Sequence, residues 1–295
     1  MKALVTGASS GMGRDMAKYL LKLGYDVIVV AKDKKELDKE YKEYKKRVKC
    51  YSFDLTKEEE CVKLYKEVRE DNIDILINNA GFGDAGLFIN TNLDKEMDMI
   101  NLNIKAYHIL TKLFLRDFVK RDYGRILNVA SMAGFMPGPN MATYYATKNY
   151  IVSLSLGIYE ELKEINSKVK ISIFCPGPVD TNFNNVADVK FYLPSLTSEY
   201  ASHYAIDSMF KNKLIIVPNN MKLGHILSRI TPTKLELFIN SKVQRSTKWS
   251  FFLMCFTYII RIINLYKIIY SNSFINTVIS WQLLYRKYNI LQKFL

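Results

Sequence analysis

The sequence predicts an α/β fold built on an open, doubly wound parallel sheet, and three observations predict it. Short apolar runs alternate with stretches of helical periodicity from the N-terminus onward. The first run, residues 2–6, opens directly into the glycine turn GASSGMG and then a helix. A later run, RILNVAS, ends on Ser131, and 13 residues further on Tyr144 stands four residues before Lys148.

Strand, glycine turn and helix in that order form the context of a phosphate-binding loop. Gly7 allows the tight turn, Gly11 lets backbone approach a pyrophosphate, and Gly13 lets the helix pack on the sheet. The loop Gly7, Ser9, Ser10, Gly11, Met12 and Gly13 is therefore the candidate cradle, with the helix N-terminus facing the anion. Its spacing, GxxxGxG, departs from the GxGxxG pattern. The second strand, YDVIVVA, ends at Ala31, where an acidic residue would hold ribose hydroxyls and a basic one a 2′-phosphate. Lys32 stands there and argues for NADP(H) over NAD(H), although Asp33 follows and a one-residue shift would place a carboxylate instead.

The third strand, RVKCYSF, leads to Asp54 and Leu55, with Asp54 a candidate acceptor for the adenine amino group. Thr56 is expected to cap the next helix. The fourth strand ends in NNAG, where Asn79 is followed by Ala80 and Gly81, small enough to leave room for adenosine. A long helix is expected over about residues 94–121. Asn101 and Asn103 lie inside it, where asparagine is a poor helix former, so a local opening is expected there. His108 reads as packing. A helix from about Thr143 follows the fifth strand, and the sixth strand, VKISIFC, leads into PGPVDT.

Tyr144 and Lys148 share one helix face, and an ammonium beside a phenol favours the phenolate, which makes Tyr144 a candidate general acid or base. Ser131, at a strand's C-terminal end, lies at the edge where open α/β sheets bind ligands.

Composition bounds the rest. At 295 residues the core is amply sized. Cys50, Cys61, Cys175 and Cys255 show no metal-ligand spacing, and Met1 leads straight into a strand without the pattern of a secretory signal, so a reduced, cytoplasmic protein without a metal is expected. The net charge is +13, but eight Lys and Arg and no acid follow Glu236, leaving +5 for residues 1–236. The body is only mildly basic and carries no groove-reading or stacking motif, which excludes a nucleic-acid partner.

TGASSGMG, NNAG, NLNIKA, Ser131, YYATK and CPGPVDT, in this order, make the chain resemble the single-domain branch of the short-chain dehydrogenase/reductase family over about residues 1–235. The resemblance implies a Rossmann-type sheet of about seven parallel strands, the last over 213–218, with helices on both faces. It implies Tyr144 as acid/base, Lys148 lowering its pKa and holding the nicotinamide ribose, and Ser131 orienting a substrate carbonyl. Asn103, rather than Asn101, matches the asparagine that holds a water linked to the lysine. Thr181 matches a contact to the nicotinamide carboxamide; Pro176, Gly177 and Val179 belong to the same motif. The implied activity is NADP(H)-dependent reduction of a small, lipophilic carbonyl, or oxidation of the alcohol. An NADP(H)-sensing protein without turnover is the alternative, and a sugar-nucleotide epimerase is disfavoured by the short loop after Gly81. Relatives are often homo-oligomers through the helices of 94–121 and 143–166.

Residues 182–212 fall where such enzymes build a substrate lid, and Phe183, Val186, Phe191, Tyr192 and Leu193 suggest an apolar pocket. His203 and His225 read as structural. The expected domains are 1–235 and a basic, apolar C-terminal extension, 236–295. Aromatic and aliphatic residues interrupted by Arg261 and Lys267 suit a helix at an anionic membrane surface better than a span, with packing on the body, a subunit interface or an unselected extension as the alternatives.

Overall fold

The protein is described from a computed structural model, which covers residues 1–183, 187 and 195–243 in describable form. The strands are β1 (Lys2–Thr6), β2 (Asp26–Ala31), β3 (Val48–Ser52), β4 (Ile75–Asn78), β5 (Arg125–Val129), β6 (Lys170–Phe174), β7 (Val179–Asp180), β8 (Leu196–Thr197) and β9 (Ile215–Ile216). Seven of them form one sheet in the order β3-β2-β1-β4-β5-β6-β9, and β7 pairs with β8. Every pairing is parallel. The order reverses direction between β1 and β4, so a crevice opens at their C-terminal ends, where ligands bind in such sheets.

Side chains alternate across the sheet, and both faces are covered. Ala3, Val5, Val27 and Val29 pack into one core with Met16 and Leu20 of α1 (Gly11–Lys22). Leu4, Ile28 and Val30 pack on the other side with Leu64 of α3 (Glu58–Val68). This is why these strands read as continuous apolar runs. A short α2 (Lys34–Glu40) is capped by Asp33, whose carboxylate accepts from the backbone of Lys35 and Glu36. Asp33 is thereby committed to a helix end.

Several expectations change. The predicted Thr56 cap is absent: α3 begins at Glu58 after Lys57, and the Thr56 hydroxyl instead donates to Asp54 at 2.7 Å. The long helix is broken into α4 (Leu93–Ile100), a π-helical turn (Asn101–Ala106) and α5 (Tyr107–Lys120). That is the opening the two asparagines signalled, and wide turns of this kind recur at functional sites. The last sheet strand is only Ile215–Ile216. Within the expected lid, α7 (Ser198–Phe210) is a core helix, with Ala201, Ala205, Ile206 and Met209 buried in the α1 cluster.

α6 (Ala142–Glu164) carries the YxxxK pair. α8 (Lys222–Ile230) and α9 (Thr233–Val243) close the described chain. Val186, Phe191, Tyr192, Leu193 and residues 244–295 lie outside the described residues. Among the described residues no helix is long and apolar enough to cross a membrane, and no cluster could hold a metal ion.

Candidate active site

The glycine cradle is built by close approach. Gly7 has φ of +66°, and a Cβ there would lie 2.7 Å from Ala80 Cα. A Cβ on Gly13 would lie 2.2 Å from the Gly7 carbonyl oxygen, so only hydrogen fits. Thr6 and Asn79 bolt this turn to β4. The Thr6 hydroxyl accepts from the backbone of Asn79 and Ala80 at 3.0 and 3.1 Å, and the Asn79 side chain donates to the Thr6 and Gly7 carbonyls at 3.0 and 3.3 Å. Beneath the loop, buried Tyr41 donates to Ala8 O at 2.8 Å.

The cradle fits a dinucleotide. Ser10 precedes α1 without a side-chain cap bond and the helix has no acid in its first turn, so its backbone N–H groups and dipole remain for an anion. Thr181 lies over the loop, its Cγ2 3.2 Å from where a Gly11 Cβ would stand. Met12 turns its carbonyl to Ser202, and Leu55 is a core residue, so neither side chain is a polar ligand for the cofactor. Ser9 lies within the same turn.

Lys32 and Asp54, expected to serve separate parts of the cofactor, are joined. Lys32 Nζ lies 2.9 Å from Asp54 Oδ2, with the lysine 78% and the aspartate 22% exposed. Burial works against the Asp54 carboxylate, but Lys32 and Thr56 more than offset it and hold its pKa below the ordinary value.

Ser131, Tyr144 and Lys148 come together at the C-terminal end of β5. Ser131 caps a short 3₁₀ turn (Met132–Phe135) by accepting from Ala133 N at 3.1 Å, and its hydroxyl lies within hydrogen-bonding reach of the Tyr144 phenol. Tyr144 is buried among Met99, Ala133, Met141 and Ala187, with Phe183 stacked at a tilt 5.3 Å away. Burial pushes its pKa up; the Ser131 hydrogen bond pulls the other way. Lys148 is the cation expected to favour the phenolate. The ammonium lies 5.9 Å from the Tyr144 ring centre and donates instead to Val129 O at 2.9 Å. Burial lowers the lysine's own pKa to about 8.

Asn103 is fully buried in the π turn, and its side chain is committed. It accepts from Phe82 N at 3.2 Å and donates to Phe82 O and the Thr147 hydroxyl at 2.9 and 3.1 Å. It therefore braces the Gly81–Phe82 loop against α6. Pro176 O accepts from Met132 N at 2.8 Å, which fixes the exit of β6 beside Ser131. Gly177 packs under Met221, and Val179 starts β7. His203 stacks on Tyr19, His225 packs at a tilt against Phe135, and His108 meets Tyr150 at 2.8 Å.

Sequence reasoning read Asn78 as a support of the central sheet that would need partners if buried, but passed over those partners, Thr111, Asn128 and Ser155, which form a buried polar chain with it behind the site. Asn78 donates to Thr111 and to Asn128 at 3.0 and 2.9 Å, and Asn128 donates to Ser155 at 2.9 Å. An asparagine inside the apolar run RILNVAS was its signal. Tyr107, beside Lys148, was also passed over and carries no sequence signal of its own.

Comparison with known proteins agrees with this architecture. The sequence profile described as short chain dehydrogenase matches residues 1–189. "Dehydrogenase/reductase SDR family member 11" from Bos taurus is 33% identical over 192 residues, covering 61% of this chain and 75% of its own. A short-chain dehydrogenase from Sphingobium yanoikuyae, solved with NADPH, is 29% identical with a TM-score of 0.69, covering 76% of this chain and 91% of that one. A 3-ketoacyl-(acyl-carrier-protein) reductase from Brucella melitensis, solved with NADH, is 25% identical with a TM-score of 0.66, covering 73% and 94%. The chain belongs to the short-chain dehydrogenase/reductase family and is an oxidoreductase that works with a nicotinamide cofactor.

Proposed function

We propose that this oxidoreductase uses NADP(H) to reduce the carbonyl of a small, lipophilic substrate, or to oxidise the corresponding alcohol, with Tyr144 as the acid/base. The observation that carries the reading is the meeting of Ser131, Tyr144 and Lys148 at the sheet edge that also holds the glycine cradle. The Gly7–Gly13 loop would hold the pyrophosphate, Lys32 the 2′-phosphate, Asp54 the adenine amino group, and Asn79, Ala80 and Gly81 the adenosine side. Pro176, Gly177, Val179 and Thr181 would line the nicotinamide end. Bound there, the cofactor supplies or accepts the hydride.

The protein's part is proton handling. Burial keeps the Tyr144 phenol protonated at neutral pH, the form that donates to a carbonyl oxygen during reduction. Ser131 hydrogen-bonds the same oxygen and favours the phenolate left after donation. The Lys148 cation adds electrostatic stabilisation in a site where low dielectric magnifies it. Phe82, Phe183, Met99 and Met141 around Tyr144 exclude water and support an apolar substrate.

The test is reduced-nicotinamide oxidation with NADPH and NADH against lipophilic ketones, aldehydes, quinones and acyl thioesters. NADPH-selective turnover is expected; equal use of NADH removes the cofactor assignment, and binding without turnover favours a sensing role.

The reading extends to a cytoplasmic homo-oligomer that touches an anionic membrane surface through its C-terminal extension. Leu223, Ile226 and Ile230 of α8, all exposed and flanked by Lys222 and Arg229, support a lipid-facing end of the molecule. Truncation at Lys248 should reduce co-sedimentation with anionic vesicles; unchanged association removes this part.

A further inference from the structure

We infer that Tyr107 is a positioning residue for Lys148: it shares the lysine's acceptor, the Val129 carbonyl, and so lets the ammonium leave that seat without stranding a buried acceptor. This rests on Lys148 acting in the reaction proposed above.

The geometry is a three-way contact. Val129 O accepts from Lys148 Nζ at 2.9 Å and from Tyr107 Oη at 3.1 Å. The ammonium also sits 5.4 Å from the centre of the Tyr107 ring, within range of a cation–π contact. Tyr107 is 1% exposed and Lys148 4%, so neither exchanges partners with bulk water. Among the described residues Lys148 has no carboxylate partner and no hydrogen-bond acceptor besides Val129 O. Its surroundings are Tyr107 on α5, Tyr144 on its own helix, and the buried thiol of Cys175, which burial holds protonated. The cation is thus carried by one carbonyl and two aromatic faces.

Two consequences separate the hydroxyl from the ring. The hydroxyl competes with Lys148 for one carbonyl and remains on it when the lysine moves toward cofactor or Tyr144. The ring face favours the charged lysine. Removing the hydroxyl alone leaves Val129 O as a stronger acceptor for the ammonium, raising the lysine's pKa and tightening its seat. Removing the ring lowers the pKa.

The experiment uses the full chain labelled with ¹³C-lysine, titrated by NMR, with the Lys148 signal identified by its loss in Lys148→Arg. In Tyr107→Phe the midpoint should rise by about 0.5 pH unit, and in Tyr107→Met, which lacks hydroxyl and ring alike, it should lie about 0.5 unit below that of Tyr107→Phe. The basic limb of the rate profile should move with them, and Tyr107→Phe should lose about tenfold in kcat, the equivalent of one stranded acceptor. A Tyr107→Phe midpoint at or below the wild-type value, or a Tyr107→Met midpoint at or above that of Tyr107→Phe, overturns the proposal. If Tyr107→Met does not fold, the sign of the Tyr107→Phe shift decides alone. Because the titration needs no substrate, it also separates failure of this inference from failure of the reductase reading.

Discussion

In the proposed reading cofactor selection turns on the Lys32–Asp54 pair, and replacing Lys32 by alanine tests it most directly. The two groups are 2.9 Å apart, but the lysine is 78% exposed. An exposed pair of this kind contributes about 0.2–1 kcal/mol. A charge-assisted hydrogen bond to a phosphate contributes about 1.5–3 kcal/mol. Lys32 must leave Asp54, wholly or in part, to reach a 2′-phosphate, so its net value for NADPH is about 1–2 kcal/mol, or roughly 5- to 30-fold in affinity. Lys32→Ala should weaken NADPH by that factor and leave NADH almost unchanged. Asp54→Asn removes the competitor and should tighten NADPH by up to about fivefold, before any loss of an adenine contact. The assay is fluorescence titration of both cofactors at two salt concentrations, because an exposed cation–phosphate contact weakens with screening. Equal loss for NADPH and NADH, or none for NADPH, refutes the reasoning. Acid should mimic Asp54→Asn: the carboxylate's pKa is depressed, so the pair persists above it and is lost as pH falls through that lowered value.

Other expectations test the site and its support. Tyr144→Phe should abolish turnover while leaving NADPH affinity within about twofold, since it removes the proton donor and keeps the ring; retained turnover rules out the acid/base role. Ser155→Ala strands the Asn128 amide, which donates to it at 2.9 Å in a fully buried position, and should cost about 1–3 kcal/mol in urea unfolding. A change below about 0.5 kcal/mol would mean that the polar chain is not what holds β5 to α6. Lys148→Met should be inactive yet more stable at pH 7 by about 3 kcal/mol, because burial takes the lysine from 10.5 to about 8. The sign follows from linkage: between those values the unfolded chain binds the proton and the folded chain does not, so wild-type stability climbs as pH rises through that window. The variant lacks the climb, and parallel pH profiles for the two proteins would contradict the buried-cation account.

The sheet was legible because parallel strands buried on both faces leave continuous apolar runs, and β1, β2 and β5 could be read almost to the residue. Gly7 and Gly13 were legible for a related reason: the backbone contacts they make admit no side chain, so the residue type records the geometry. The broken helix was half legible, since Asn101 and Asn103 announced a defect but not that it would widen into a π turn. What could not be read were matters of competition between partners. Thr56 had the right chemistry for a helix cap, and Asp54 took its hydroxyl. Spacing put Lys148 on the face of Tyr144, and only the folded structure places its ammonium on the Val129 carbonyl. Lys32 and Asp54 are 22 residues apart and were read as separate ligands, although the register of β2 with β3, Ala31 opposite Ser52, brings the residues after both strands together.

The lysine's seat follows from where two strands stop. Along β5 alternate residues turn their backbone groups toward opposite neighbours, and Ala130 N donates to Phe174 O of β6. Val129 therefore turns toward β4, whose last paired residue is Asn78, opposite Asn128. The carbonyl one step further along β5 meets no strand. A buried acceptor without a partner is costly, and here side chains from two helices, Tyr107 and Lys148, supply the donors. An apolar substitution at either place would leave the fold's ladder intact and the strand end less well satisfied. The staggered ends of β4 and β5 thus make a backbone acceptor at the same edge as the glycine cradle, and a cation held there is already inside the site without a carboxylate to neutralise it. A carboxylate in the same place would hold the lysine more firmly, but it would also cancel the charge that the proposed mechanism sets beside Tyr144. An uncharged acceptor shared with a phenol keeps the cation present, weakly held and electrostatically uncompensated, which is the state that the proton transfer proposed at Tyr144 requires.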